Sequence, residues 1–193
     1  MKKFLIACAA FALLTGITIS AVAAETENKA KPIAGSTVGG AFTLVDGAGK
    51  SVTEKSWPGK YKLVFFGFTS CPEICPTTLT AIGGALEKLG AKADKIQPLF
   101  VTTDPGRDTP EVVKAYVANF DPRIVGLTGT AEQLKSAEST YKVYAAKRDL
   151  EGKDYTMDHS AFVYFMSPDD KMLAIMKGDA GASAIAEKIE PLL

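Results

Sequence analysis

Tyr61-Lys62-Leu63-Val64-Phe65-Phe66-Gly67-Phe68 is a run of apolar residues with almost no polar alternation. A half-buried strand would alternate, so this run reads as a central strand covered on both faces. Before it, Phe42-Thr43-Leu44-Val45 and Val52-Thr53 flank Asp46-Gly47-Ala48-Gly49, a hairpin pattern, and Trp57-Pro58-Gly59-Lys60 supplies the turn into the central strand. After it, Leu79, Ile82, Leu86 and Leu89 recur at helical spacing and predict an amphipathic helix over Thr77–Gly90. Ile96–Val101 is a second strand. Asp108-Thr109-Pro110-Glu111 opens the next helix, with a capping side chain and then proline at the first helical position. Ile124–Leu127 is a short strand, and Thr130 followed by Gln133 forms a capping box for a helix to about Tyr141. Tyr141–Ala146 reads as extended and is followed by a charged loop. Ser160–Met166 and Met172–Lys177 form a hairpin around Ser167-Pro168-Asp169-Asp170, and a last helix begins near Ala182.

Strand–helix–strand–helix order closed by a hairpin and a helix predicts an α/β sandwich: a mixed β-sheet flanked by helices, with an extra N-terminal β-hairpin. The 193 residues suffice for one domain, which at this size buries about 70% of its unfolded surface. Residues 25–40, with charges, Pro32 and three glycines, read as a linker, which leaves 41–193 as the domain. Residues 1–24 differ from the rest. Lys2 and Lys3 precede an uncharged stretch from Phe4 that ends in Ala21-Val22-Ala23-Ala24, the pattern of a secretory signal peptide. Thr15, Gly16, Thr18 and Ser20 dilute its apolar character and favour cleavage; uncut, residues 4–24 are long enough to anchor the chain in a bilayer. The expected location is therefore outside the cytoplasm.

Charge and cysteine usage narrow the function. The chain has 22 basic and 22 acidic residues, so it lacks the basic face that nucleic acid requires; losing Lys2 and Lys3 leaves a net charge of −2. Cys8 belongs to the export segment. That leaves Cys71 and Cys75, too close in sequence for a disulfide between them to stabilise the fold much. In an oxidising compartment such a pair is better suited to redox chemistry or metal binding.

Cys71-Pro72-Glu73-Ile74-Cys75-Pro76 lies between the central strand and the first helix, with Pro76 expected at the first helical position and Cys75 at the cap. A helix N-terminus favours the thiolate, and the i, i+4 spacing brings both sulfurs to one side. His159 is the only histidine. By itself it is an ordinary loop or packing residue, but two thiolates lacking a third ligand give it a role. Two sulfurs and an imidazole suit Cu(I), and an added oxygen donor would suit Cu(II). Structural zinc would want a fourth strong ligand. Asp104, in Asp104-Pro105-Gly106-Arg107-Asp108-Thr109-Pro110, follows a strand end and is not explained by capping, whereas Asp108, Thr109 and Pro110 are. Asp104 is the candidate weak ligand, or a carboxylate that orients one. Met157 offers a thioether nearby. Met166, Met172 and Met176 read as core, and Lys142, Lys147, Arg148, Asp149, Glu151, Lys153 and Asp154 as a solvated surface that could face a partner.

Three segments in this order resemble the Sco/SenC family of copper proteins: Phe66-Gly67-Phe68-Thr69-Ser70-Cys71-Pro72-Glu73-Ile74-Cys75-Pro76, Thr103-Asp104-Pro105-Gly106-Arg107-Asp108-Thr109-Pro110, and Asp158-His159-Ser160. Phe120-Asp121-Pro122-Arg123 and Gly126-Leu127-Thr128-Gly129 extend the likeness, which covers Gly40 to the C-terminus. The resemblance implies a thioredoxin-like fold and copper, Cu(I) and Cu(II), held by Cys71, Cys75 and His159, with Asp104 close by. It implies a partner, cytochrome c oxidase subunit II or another copper-site protein, whose CuA centre receives copper or whose cysteines are reduced beforehand. An upstream periplasmic copper chaperone would be the donor. It also implies a periplasmic domain, soluble after cleavage or tethered to the inner membrane by residues 4–24. Two functions therefore stand side by side: a metallochaperone, which is not an enzyme, and a thiol–disulfide oxidoreductase using Cys71 and Cys75 as its redox pair. A peroxidase would want a Thr-x-x-Cys pattern, which the chain lacks.

Overall fold

The computed structural model describes residues 31–193 except residue 153, so the expected export segment, the first part of the linker and Lys153 lie outside the described residues. Along the chain run β1 (Thr43–Asp46), β2 (Ser51–Thr53), β3 (Tyr61–Gly67), α1 (Ile74–Leu89), β4 (Ile96–Thr102), α2 (Pro110–Val117), β5 (Val125–Thr128), α3 (Ala131–Tyr141), β6 (Ala145–Asp149), β7 (Tyr155–His159), β8 (Phe162–Met166), β9 (Met172–Lys177) and α4 (Ala182–Ile189). A seven-stranded sheet has the order β2-β1-β5-β4-β3-β8-β9, and β6 and β7 form a separate two-stranded sheet. β3, β4 and β5 are parallel; the remaining pairs are antiparallel.

The alternation hidden inside the apolar run becomes visible in its packing. Leu63 and Phe65 point to one face of β3, where they meet Leu79, Ile82 and Leu86 of α1, Val113 and Val117 of α2, and Ile185 and Ile189 of α4. Val64 and Phe66 point to the other, against Leu134, Ala137 and Tyr141 of α3. Both faces are covered, so period-2 patterning has no polar phase to display. Met166, Met172 and Met176 are buried, as the sequence suggests. The expected hairpin β1–β2 is present, and β1 pairs with β5 to extend the sheet at that edge. Residues 31–40 contain neither helix nor strand, yet they are fastened to the domain. Ile33 N–H donates to the Met172 carbonyl at 2.9 Å and Gly39 N–H to that of Thr140 at 3.0 Å.

Three expectations need correcting. First, α1 begins at Ile74 rather than Thr77, which puts Cys75 inside the first turn and Pro76 after it. Proline is tolerated there because N–H groups of the first turn have no intrahelical acceptor. Second, the charged loop after Ala146 is a hairpin, β6–β7, in register Ala145↔His159 to Asp149↔Tyr155. An isolated ribbon of two strands is wet on much of its surface, so its charged residues masked the strand pattern; Lys142, Lys147, Arg148, Asp149, Glu151 and Asp154 are indeed exposed. Third, the expected turn and cap do not fully explain Asp108, although the cap itself is present. Thr109 caps α2 by accepting from Val112 N–H, Pro110 follows, and Asp108 is buried beneath the sheet's end.

Lys62 is the polar residue inside the apolar run. Its ammonium is buried and meets the carboxylate of Asp170, which sits in the β8–β9 turn with φ +63°, and also approaches the Pro168 carbonyl. Removing one member strands the other. Lys62→Met is expected to cost about 2–4 kcal/mol in urea unfolding, and adding Asp170→Asn should recover at least half of that. Strictly additive losses would show that the two groups are not coupled.

Candidate metal centre

Both thiols lie where β3 hands over to α1. After Gly67 the chain turns, with Cys71 N–H donating to the Phe68 carbonyl at 3.2 Å. Glu73 occupies the cap position of α1 but makes no side-chain cap. The Cys71 sulfur does that work instead, accepting from Cys75 N–H at 3.4 Å. It thus lies at the positive end of the helix dipole, against a donor that would otherwise be unpaired. The Cys75 sulfur is fully buried and lies against Gly67. A Cβ at Gly67 would come within 2.6 Å of that sulfur and 3.0 Å of the Phe100 ring, so only glycine leaves room. Glycine inside an apolar strand is the mark of such a close approach, and here it was the signal to read.

His159 ends β7 and is half-buried. Its Nδ1 is 3.1 Å from the Ser160 carbonyl oxygen, which can only accept, so Nδ1 carries the proton. In the neutral ring Nε2 is then the nitrogen that can bind an ion, and it faces the sulfurs, 3.6 Å from Cys75 Sγ. The rings of Phe68 and Phe65 wall the imidazole edge-on, with centroids at 5.7 and 6.3 Å. Among the described residues, the ligand atoms of Cys71, Cys75 and His159 all lie within 4.8 Å of one another. With bonds of about 2.0–2.3 Å, a trigonal ion needs donors about 3.8 Å apart, which small side-chain rotations provide. The cluster opens on a cleft of about 540 Å³ whose lining includes Pro72, Glu73, Met157 and Asp179.

The two sulfurs share one proton unequally. The hydrogen bond from the Cys75 thiol lowers Cys71 to about 4, against the opposing effect of burial and with help from the backbone N–H groups of Cys75 and Glu73. Cys75 is pushed up, by that same bond and by its own burial. Cys71 is therefore the standing thiolate, and Cys75 keeps its proton until something replaces it. Neither is in a disulfide.

The loop after β4 holds the cluster without joining it. Asp104 lies outside the group of three: its oxygens accept from Arg107 Nε and, at 2.8 Å, from the Tyr155 hydroxyl on β7. Asp108, read from the sequence as part of a turn and helix cap, accepts from the Thr69 N–H at 3.0 Å, the Thr69 hydroxyl at 2.6 Å and the Thr102 hydroxyl. It anchors the cysteine loop to β4. Met157 lines the cleft and leans on the helix-side core. Sequence reasoning missed Gly67, Thr69, Arg107, Asp108 and Tyr155 as supports, since only Gly67 breaks a pattern.

A family model described as SCO1/SenC matches residues 30–193. The SCO2-like protein RP587 of Rickettsia prowazekii is 36% identical over 185 residues, which cover 91% of this chain and 90% of the relative. The mitochondrial SCO1 homolog 1 of Arabidopsis thaliana is 43% identical over 143 residues, 73% of this chain and 43% of the relative; the chain spans about half the length of such mitochondrial relatives. The structure of Bradyrhizobium japonicum ScoI with copper bound superposes with a TM-score of 0.74 at 40% identity, covering 81% of this chain and 99% of that one. A more distant fold match, with a TM-score of 0.63 at 23% identity and covering 83% of this chain and 94% of the other, is BsSco. It is described as carrying a disulfide switch and as a member of the Sco family of cytochrome c oxidase assembly proteins. The architecture is the thioredoxin-like α/β sandwich that the resemblance implied.

The shared proton generates a test in the reduced, metal-free protein. Alkylation of Cys71 by iodoacetamide should keep nearly the same rate from pH 8 down to pH 6, because its thiolate is lost only near 4. An ordinary thiol slows about tenfold per pH unit over that range. Cys75→Ala removes the bond that lowers Cys71, so the pH dependence should return. A wild-type rate that falls tenfold per unit would show that the bond does not hold the thiolate.

Proposed function

This chain belongs to the SCO1/SenC family, and we propose that it is a copper carrier that delivers its ion to the CuA centre of cytochrome c oxidase subunit II during oxidase assembly. The observation that carries the reading is the convergence of two sulfurs and the imidazole Nε2 at an open cleft. Two thiolates and one imidazole are soft donors that favour Cu(I), and a relative of the same fold is described with copper bound. Cys71 meets the ion already ionised, while uptake displaces the proton of Cys75, so binding is coupled to proton release. In the neutral imidazole the Ser160 carbonyl holds the proton on Nδ1, which leaves Nε2 as the donor nitrogen. Three donors leave the ion unsaturated. A thiolate of the partner can then enter before any bond to this chain breaks, which is what transfer by ligand exchange requires.

The export pattern of residues 1–24 supports a working place in the periplasm, with the domain 41–193 either free or held at the inner membrane; the carrier reading adds an upstream copper chaperone as donor. No helix among the described residues is long and apolar enough to cross a membrane.

The standing thiolate supports a second reading, a thiol–disulfide reductase. Cys71 would attack a partner disulfide and expel one partner thiolate. Cys75, giving up its proton, would then attack the mixed disulfide and release the second. The chain ends as the Cys71–Cys75 disulfide and the partner gains two electrons as two thiols. That chemistry uses the sulfurs and not the imidazole. His159→Ala should therefore retain Cu(I), lose Cu(II) and its thiolate charge-transfer band, and fail to support CuA assembly in cells under limiting copper. Its reduction of an oxidised CuA-domain disulfide in vitro should persist. Normal assembly by His159→Ala at limiting copper would overturn the carrier reading in favour of the reductase.

A further inference from the structure

His159 is held at the end of a ribbon that has no ladder with the main sheet. A two-stranded hairpin is marginally stable by itself, so something else must fix where its imidazole sits. At its base, Ser160 N–H donates to the Tyr144 carbonyl at 2.9 Å and Tyr144 N–H to the Ser160 hydroxyl at 3.1 Å. At its far end stands Tyr155, opposite Asp149 in the register. Tyr155 and His159 are four residues apart on β7 and so share a face, about 13 Å from each other.

We infer that Arg107 and Tyr155 form a clamp that positions His159 relative to the two sulfurs. The guanidinium carbon of Arg107 lies 3.8 Å from the centroid of the Tyr155 ring, and the ammonium of Lys147, on the neighbouring strand β6, lies 3.9 Å from it. Two cations at those heights cannot share one face of a ring, so the phenol is sandwiched between them. Arg107 also donates from Nη1 to the Tyr155 carbonyl at 2.9 Å and from Nε to Asp104, which in turn accepts from the Tyr155 hydroxyl at 2.8 Å. Ring, carbonyl and hydroxyl of one tyrosine are thus gripped from a single loop. Gly106 lets that loop come close: a Cβ there would stand 3.1 Å from the Tyr155 oxygen. The next residue of the loop, Asp108, grips Thr69 on the cysteine side. Adjacent residues 107 and 108 therefore hold the nitrogen-bearing and sulfur-bearing halves of the site in one frame. Loosening Arg107 frees the histidine while leaving the sulfurs in place, which makes Arg107 and Tyr155 positioning residues.

The inference rests on the copper-carrier reading only for its metal arm, and the test has two arms. In the reduced, metal-free chain, Arg107→Ala should speed amide hydrogen exchange across residues 145–159 by about tenfold while leaving β3 and β4 within about twofold. With copper, it should lower Cu(II) affinity by about tenfold or more, the range lost when a ligand's support is removed, and Cu(I) affinity by less than about threefold. Arg107→Lys keeps the charge but not the planar fork and should recover only part of both effects. Tyr155→Phe keeps the ring between the cations, loses the bond to Asp104, and should give a weaker form of the same pattern. Should Arg107→Ala fail to fold, Tyr155→Phe and the exposed Lys147→Ala decide by the same split. Unchanged exchange in the hairpin, equal acceleration in β3 and β4, or parallel losses of Cu(I) and Cu(II) would each overturn the clamp. A wild-type chain that binds no copper, with the hairpin still loosened selectively, would keep the clamp and sink the carrier reading.

Discussion

The site depends on one buried carboxylate. Asp108 stands beyond the C-terminal ends of the three parallel strands and is bonded to all of them: to Thr69 after β3, to Thr102 at the end of β4, and through its own carbonyl to the Thr128 hydroxyl at the end of β5, at 2.7 Å. A buried carboxylate is costly unless its acceptor positions are filled, and here they are filled by the groups that end the strands. The arrangement turns a requirement of burial into a reference point. The cysteine loop is measured from Asp108 through Thr69, and the histidine hairpin is measured from the same loop through Arg107 and Asp104. Parallel sheets place their functional loops at this end because the crossover helices leave it open.

Within that frame the two cysteines are chemically unequal although they are near neighbours in sequence. Cys71 lies in the loop, caps α1 with its sulfur and is ionised; Cys75 lies in the first turn, is sealed against Gly67 and keeps the proton. The difference arises from position along the helix start rather than from residue type. It suits either way of using the pair. An entering soft ion, or a partner disulfide, first meets a standing thiolate, and the second sulfur follows when its proton is given up. What separates the two uses is His159, whose tautomer presents a lone pair that thiol exchange has no need of.

Local pattern alone specifies the central strand, the order of the main sheet's strands and of the helices, the capping box at Thr130, the buried methionines and the three residues of the cluster. Those follow from local chemistry: periodicity, capping side chains, and the scarcity of cysteine and histidine. Where the site's supports lie was decided only by tertiary structure. Asp108 looked like part of a turn and cap because an aspartate before Thr-Pro fits that local rule, and only its burial and its bonds show that it serves three strands. The ribbon β6–β7 looked like a charged loop because a wet two-stranded sheet imposes no hydrophobic alternation. The contact between Arg107 and Tyr155 carried no signal, because it spans 48 residues of chain and depends on how a loop and a hairpin fold over each other. The candidate ligands were legible because few side chains can do that chemistry. Ligand placement was not, because it is set by long-range packing that no local pattern encodes.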